Sequence, residues 1–241
     1  MRVRAITFDL DDTLWPIAPA MRHAEQRLQD FLQMHCPRSA AAYPIEAMRA
    51  LRDRVAVDHP RLAHDFSAQR RLSLQTALLP HGYDDGHVEA AFAAFYAARN
   101  EVQCYADSLP ALQRLAARYP LAAITNGNAD LAAIGLDHFF RFSLYASDFG
   151  TAKPAPAIFH AACAQFDLAP AEVLHVGDDP ALDVIGAHRA GLRCAWLNRT
   201  PASWSTLLPP DQTESGAIEP DLIVRDLAEL ADMLDSFANA A

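Results

Sequence analysis

The chain has 241 residues, 51% of them apolar and 21% charged, with a formal net charge of −10 at neutral pH. That is enough apolar material for a sizeable core in one or two domains. The acidic balance, with no dense run of Lys and Arg, argues against a nucleic-acid partner. An anionic substrate would need cation gathered locally, from a metal or a few basic side chains.

The first predicted element is a buried strand over residues 5–8 (Ala-Ile-Thr-Phe). The N-terminus runs straight into it, so no signal peptide is expected. Residues 15–102 then read as helix after helix, with helical periods over 21–34, 45–57, 67–79 and 87–99. A further helix is predicted near 109–118. Strand-like apolar runs follow at 121–125, 173–176, 194–197 and 222–224, with helices at about 181–190 and 227–237. Strands alternating with helices predict a parallel sheet covered on both faces. The helical stretch predicts a second, smaller domain inserted after the first strand. The expected division is residues 1–14 and 103–241 for the sheet domain and 15–102 for the helical one. The proline-rich stretch 198–220 reads as a surface loop. No apolar run approaches the ~20 residues that a membrane-spanning helix needs. Cys36, Cys104, Cys163 and Cys194 are widely spaced, without a CxxC pattern. They are expected to be free thiols in a reducing cytoplasm.

Four segments carry chemistry. Asp9-Leu10-Asp11-Asp12-Thr13-Leu14 puts three acids in four residues directly after the first strand. Open α/β sheets place ligands at that edge, and such a cluster calls for a cation. Hard oxygen ligands suit Mg²⁺, which binds one or two carboxylates and keeps waters and phosphate oxygens. Taken alone, the segment could equally be an acidic loop capping a helix. Thr125-Asn126-Gly127-Asn128 follows another strand and offers donors for phosphate oxygens, although Asn-Gly is also a common turn. Lys153 precedes Pro154 and could present a point charge. Gly177-Asp178-Asp179-Pro180-Ala181-Leu182-Asp183 again gathers carboxylates at a strand end.

In this order, DLDDTL, TNGN, a lysine before proline and GDDPALD resemble the four motifs of the haloacid dehalogenase superfamily, across the whole sheet domain. The resemblance implies a Rossmann-like parallel-sheet core with an inserted all-helical cap. It implies an enzyme in which Asp9 attacks phosphorus to form an aspartyl-phosphate, and Asp11 first protonates the leaving oxygen and then activates water. Thr125, Asn126 and Gly127 would hold the phosphate, with Thr13 nearby. Lys153 would pair with the nucleophile and the transferring group. Mg²⁺ would be held by Asp9, the backbone carbonyl of Asp11, and Asp178. Asp183 would stand behind them as a further acid, and Asp179 has no assigned role beyond a supporting one. Dehalogenases of the superfamily need no acid for a halide leaving group and lack an aspartate two residues after the nucleophile. Asp11 therefore favours phosphoryl chemistry.

Specificity is expected in the cap, with Trp15, His59, Arg61, His64, Asp65, Arg70 and Arg71 as candidates. The segments DHPRLAHDFSAQRR, AITNGNADLAAIGL and EVLHVGDDPALDVIGAHRAG look like a bacterial subgroup acting on FMN or on 5-amino-6-(5-phosphoribitylamino)uracil. The expected partner is a small phosphorylated metabolite, with the oligomeric state left open. The alternatives are a sugar-phosphate phosphatase, a phosphomutase, or a non-catalytic signalling module phosphorylated on aspartate.

Overall fold

A computed structural model describes residues 3–200, 203–204 and 218–239 of the chain. In chain order the elements are β1 (Ala5–Phe8), α1 (Ile17–His35), α2 (Pro37–Ala42), α3 (Ile45–Asp58), α4 (Phe66–Leu78), α5 (Asp85–Arg99) and α6 (Ser108–Ala116). Then come β2 (Leu121–Thr125), α7 (Leu131–Ile134), β3 (Phe142–Tyr145), α8 (Ala146–Phe149), α9 (Pro156–Phe166) and β4 (Val173–Gly177). The described part closes with α10 (Gly186–Arg189), β5 (Arg193–Leu197), β6 (Leu222–Val224) and α11 (Leu227–Asn239). Most of the loop expected over 198–220 lies outside the described residues.

The six strands form one parallel sheet in the order β3-β2-β1-β4-β5-β6. This is the α/β, Rossmann-like architecture expected from the motif order. β1, β2 and β4 are buried along their whole length, which explains why they read as short, mostly apolar runs. β3 escapes sequence reading for the opposite reason: Phe-Ser-Leu-Tyr is an edge strand, half-buried throughout, so no continuous apolar run marks it. Chain order reverses between β1 and β4, which lie side by side with Thr7 level with His175. The carboxyl ends of strands at such a switch point open a crevice suited to ligands. Ile124, Ile158, Phe159, Phe166 and Trp196 belong to the core cluster packed against the sheet.

The chain divides into two compact units. One comprises residues 1–15, 104–127 and 135–241; the other comprises 16–103 and 128–134. These limits differ by one residue from the expected 15 and 103, and residues 128–134 group with the helices rather than with the sheet. Within the helical unit, Leu28, Leu32, Leu51, Leu74, Leu78, Phe92 and Phe95 form a core of their own. Two of its helices, α4 and α5, begin on side-chain caps: Asp65 Oδ1 accepts from the Ala68 N–H and Asp84 Oδ1 from the His87 N–H. α1 starts four residues before the expected position because Pro19 sits in its first turn, where a missing N–H costs nothing. Asn128 and Asp130 are tied into this unit through Ser67 and Asn100.

The helix expected over 181–190 is not uniform. Pro180–Ile185 is a wide π-type turn, in which the Val184 N–H reaches back to the Asp179 carbonyl, and a short α-helix follows. Such wide turns recur at functional sites. The four cysteines are free thiols. Among the described residues no helix is long and apolar enough to cross a membrane.

Candidate active site at the sheet switch point

Asp9 leaves the end of β1 with its N–H donated to the Val176 carbonyl on β4, so the two strands still hold it as the chain turns away. The residue is 8% exposed. Lys153 Nζ lies 2.6 Å from Asp9 Oδ1 and 2.6 Å from Asp183 Oδ1. The Thr13 hydroxyl lies 3.2 Å from both Asp9 Oδ2 and Asp178 Oδ1, sharing its one proton between them. The loop between Asp9 and Thr13 is a tight one. Asp12 takes a left-handed backbone at φ 58°, which Asp tolerates better than most residues, and its N–H bonds the Trp15 carbonyl.

Three carboxylates, Asp9, Asp178 and Asp183, bring oxygens within 4.8 Å of one another. One buried ammonium faces them. Burial, with Asp183 and Asp11 adding repulsion against the pull of Lys153, pushes the Asp9 carboxyl up to about 7. Burial and the charges of Asp183, Asp9 and Asp12 push Asp178 up to about 8. Asp183 goes the other way. Burial opposes its ionisation, but Lys153 and His175 hold it well below the usual carboxylate range. Burial alone would lower the Lys153 ammonium; Asp183 and Asp9 reverse that and raise it. The site therefore gathers more carboxyl groups than its one ammonium can offset once they ionise, and the donors are all hard oxygens. A divalent cation fits that imbalance. Asp183 has little left to offer one: Oδ1 takes Lys153 and His175, and Oδ2 takes the Asp179 N–H. Asp9 and Asp178 are the better-placed ligands.

The other expected residues have partners within the protein. Asp11 does not join the carboxylate cluster; the Trp15 indole N–H donates to its Oδ1 at 2.9 Å. Trp15 itself is fully buried in the sheet unit, so it orients Asp11 rather than reading a substrate. Thr125 is 1% exposed, and its hydroxyl accepts the Gly127 N–H. Asn126 uses its side chain on the protein: its amide donates to the Lys153 carbonyl and accepts the Lys153 N–H, at 3.0 and 2.8 Å. That reciprocal pair sets the backbone from which the Lys153 ammonium reaches Asp9, and the Lys153–Pro154 bond that follows is cis. Asp179 caps the wide turn by accepting from the Ala181 and Leu182 N–H groups.

Among the cap candidates, Arg70 is 3% exposed with its guanidinium over the Phe95 ring, and Arg71 lies over Phe92 and pairs with Glu89. Asp65 is a helix cap, while His59 and Arg61 are exposed. Arg70, Arg71 and Asp65 thus have structural duties of their own.

Three contributors had no role assigned to them from the sequence. Gly177 is required because a Cβ there would sit 2.2 Å from the Asp183 carboxyl. Arg199 donates to the Thr13 carbonyl and to both oxygens of Asp107, while stacking 3.8 Å from the Tyr105 ring. His175 lies buried between Thr7 and Asp183. For Gly177 the cue was its place at a strand end before a carboxylate pair; for His175 it was a polar residue inside an apolar strand. Arg199 had no local signal.

A sequence profile of the haloacid dehalogenase-like hydrolase family matches residues 3–191. The chain is 32% identical to the 5-amino-6-(5-phospho-D-ribitylamino)uracil phosphatase YigB of Escherichia coli K12, over 97% of each chain. It is 36% identical to the phosphoserine phosphatase of Thermus thermophilus, over 57% of this chain and 53% of that one. Among solved structures, the 2-haloacid dehalogenase from Pseudomonas syringae pv. Tomato DC3000 superposes with a TM-score of 0.87 at 35% identity, covering 98% of this chain and 99% of that one. Motif order, sheet topology, the buried acidic cluster and these likenesses agree: the chain belongs to the haloacid dehalogenase-like hydrolases, and phosphatases are among its relatives.

Proposed function

We propose that the chain is a magnesium-dependent phosphatase of small phosphate monoesters, working through an aspartyl-phosphate on Asp9. The observation that carries this reading is the Lys153 ammonium held 2.6 Å from a buried Asp9 carboxylate at the switch point, with Asp178 beside it. Two unit negative charges repel each other by roughly 4 kcal/mol at 4 Å and an effective dielectric of 20, and a phosphate dianion facing the anionic nucleophile doubles that to roughly 8 kcal/mol. Lys153 offsets part of that repulsion and stabilises charge in the loose transition state. Asp9 and Asp178, with the Asp11 backbone carbonyl, would hold Mg²⁺, whose charge supplies the rest when it is bound.

Asp9 attacks phosphorus in line as the ester oxygen leaves. Asp11, oriented by the Trp15 indole, gives that oxygen its proton and then takes one from the water that cleaves the acyl phosphate. Thr125 and the backbone after it would receive the phosphoryl oxygens, the Gly127 N–H exchanging its Thr125 partner for the ligand. Asn126 keeps Lys153 in place. The preferred substrate class is a ribityl phosphate, either FMN or a ribitylaminouracil precursor, supported by the likeness to YigB over nearly the whole chain.

The test is phosphate release by the purified protein with Mg²⁺ from FMN, 5-amino-6-(5-phosphoribitylamino)uracil, sugar phosphates and nucleotides. Loss of turnover is expected in Asp9→Asn, and an unimpaired variant removes the nucleophile assignment. Isomerisation of a sugar phosphate without free phosphate would identify a mutase instead. A second reading, hydrolytic dehalogenation, is favoured by the likeness to the Pseudomonas syringae protein. Halide release from 2-chloropropionate in place of phosphate release would establish it. Asp11 opposes that reading, because a halide needs no proton to leave.

A further inference from the structure

His175 stands in the middle of β4, with no exposed side-chain surface, and no step described so far uses it. It is not a packing residue that happens to be polar. Its two ring nitrogens each have a partner from a different element: the Thr7 hydroxyl on β1 at 2.9 Å from Nδ1, and Asp183 Oδ1 at 3.1 Å from Nε2. Phe159 packs edge-to-face against the ring, with centroids 5.0 Å apart. A carboxylate can only accept, so Nε2 carries the proton and Nδ1 accepts from Thr7. Thr7, His175, Asp183, Lys153 and Asp9 then form one buried chain of hydrogen bonds running from β1 through β4 and back to the end of β1. Lys153 reaches Asp9 from a side that Asp183 defines. The Asp183 carboxylate is steered by His175 at Oδ1 and by the Asp179 N–H at Oδ2.

We propose that His175 is a positioning residue: fixed by Thr7, it holds the Asp183 carboxylate so that Lys153 stays aimed at Asp9. The inference rests on the phosphatase reading for its kinetic consequence, not for its geometry. Partners that orient the groups touching a reacting centre are commonly worth 10- to 100-fold in activity.

Turnover of p-nitrophenyl phosphate with Mg²⁺ is compared in the wild type, His175→Leu, His175→Gln and Thr7→Val, with Asp9→Asn as the control. His175→Leu is expected to lower kcat by at least about 10-fold with KM within about twofold. His175→Gln, whose amide can donate to Asp183 from the place of Nε2, is expected to recover most of it. An unchanged kcat in His175→Leu, or no recovery in His175→Gln, overturns the proposal whatever happens to Tm. Imidazole ¹⁵N NMR on the same proteins decides the geometry without turnover. The His175 signal, assigned by its loss in His175→Gln, is expected as the Nε2–H tautomer, altered in Thr7→Val. An Nδ1–H tautomer or a rotating ring in the wild type overturns the proposal. A wild type that releases no phosphate while showing the Nε2–H tautomer removes the phosphatase reading and leaves the positioning chain standing.

Discussion

Replacing Asp9 by Asn should abolish turnover and, in the metal-free protein, raise stability. The Asp9 carboxyl is pushed from 3.8 up to about 7, chiefly by burial. A carboxyl raised that far costs the folded state on the order of 4 kcal/mol at neutral pH relative to the unfolded chain. Asn keeps the shape and an acceptor for Lys153 but leaves the ammonium only one carboxylate partner, Asp183. A net gain of about 2 kcal/mol is expected, which for a chain of this size corresponds to a Tm rise of about 4–8 °C. The sign follows from the raised pKa. Below about pH 4 the carboxyl is protonated in both folded and unfolded chains, so wild type and variant should converge there. The penalty then grows as pH rises towards 7 and levels off above it. Calorimetry in chelator from pH 4 to 8, with phosphate release assayed in parallel, reads both effects. A metal-free Asp9→Asn protein that melts below wild type at pH 7.5 would refute the charge imbalance argued for the site.

Millimolar Mg²⁺ should raise the wild-type Tm more at pH 8 than at pH 5.5, because Asp9 and Asp178, near 7 and 8, must lose protons before they can ligate. A thermal shift that is equal at both pH values counts against these ligands. Gly177→Ala places a Cβ 2.2 Å from the Asp183 carboxyl, so that side chain must move and release Lys153. A loss of about 1–3 kcal/mol by denaturant titration and at least a tenfold fall in kcat are expected. Arg199→Lys loses the bidentate bond to Asp107 and the hold on the Thr13 carbonyl, and should cost about 1–3 kcal/mol at neutral pH. Burial pushes the Asp107 carboxyl up, but Arg199 and the Leu227 N–H hold it below the usual range. Its contribution is therefore present above pH 4 and fades as pH falls further, so the difference between variant and wild type should shrink in acid.

The sheet strands and the acids after them were legible in the sequence because both are local signals. A doubly covered parallel strand must be a short apolar run, and Asp9 and Asp178 follow such runs at once. The four longer helices of the 16–103 unit, α1, α3, α4 and α5, were legible through their 3.6-residue period; the short α2 and the strand β3 were not, and β3, a half-buried edge strand, carries no unbroken apolar run. What the tertiary structure decided is which polar groups face one another. Asn126 holds Lys153 across 27 residues, His175 meets Asp183 at the turn that follows its strand, and Arg199 reaches Thr13 across 186 residues of chain. Trp15 read as a candidate substrate contact because aromatic residues near a motif look available; folding buries it on Asp11 instead. Hydrophobic periodicity and motif spacing are written along the chain, so the chain alone determined five of the described strands and the acids at their reactive edge. Hydrogen-bond partnership between distant side chains depends on register and strand order, and only the assembled sheet supplies those.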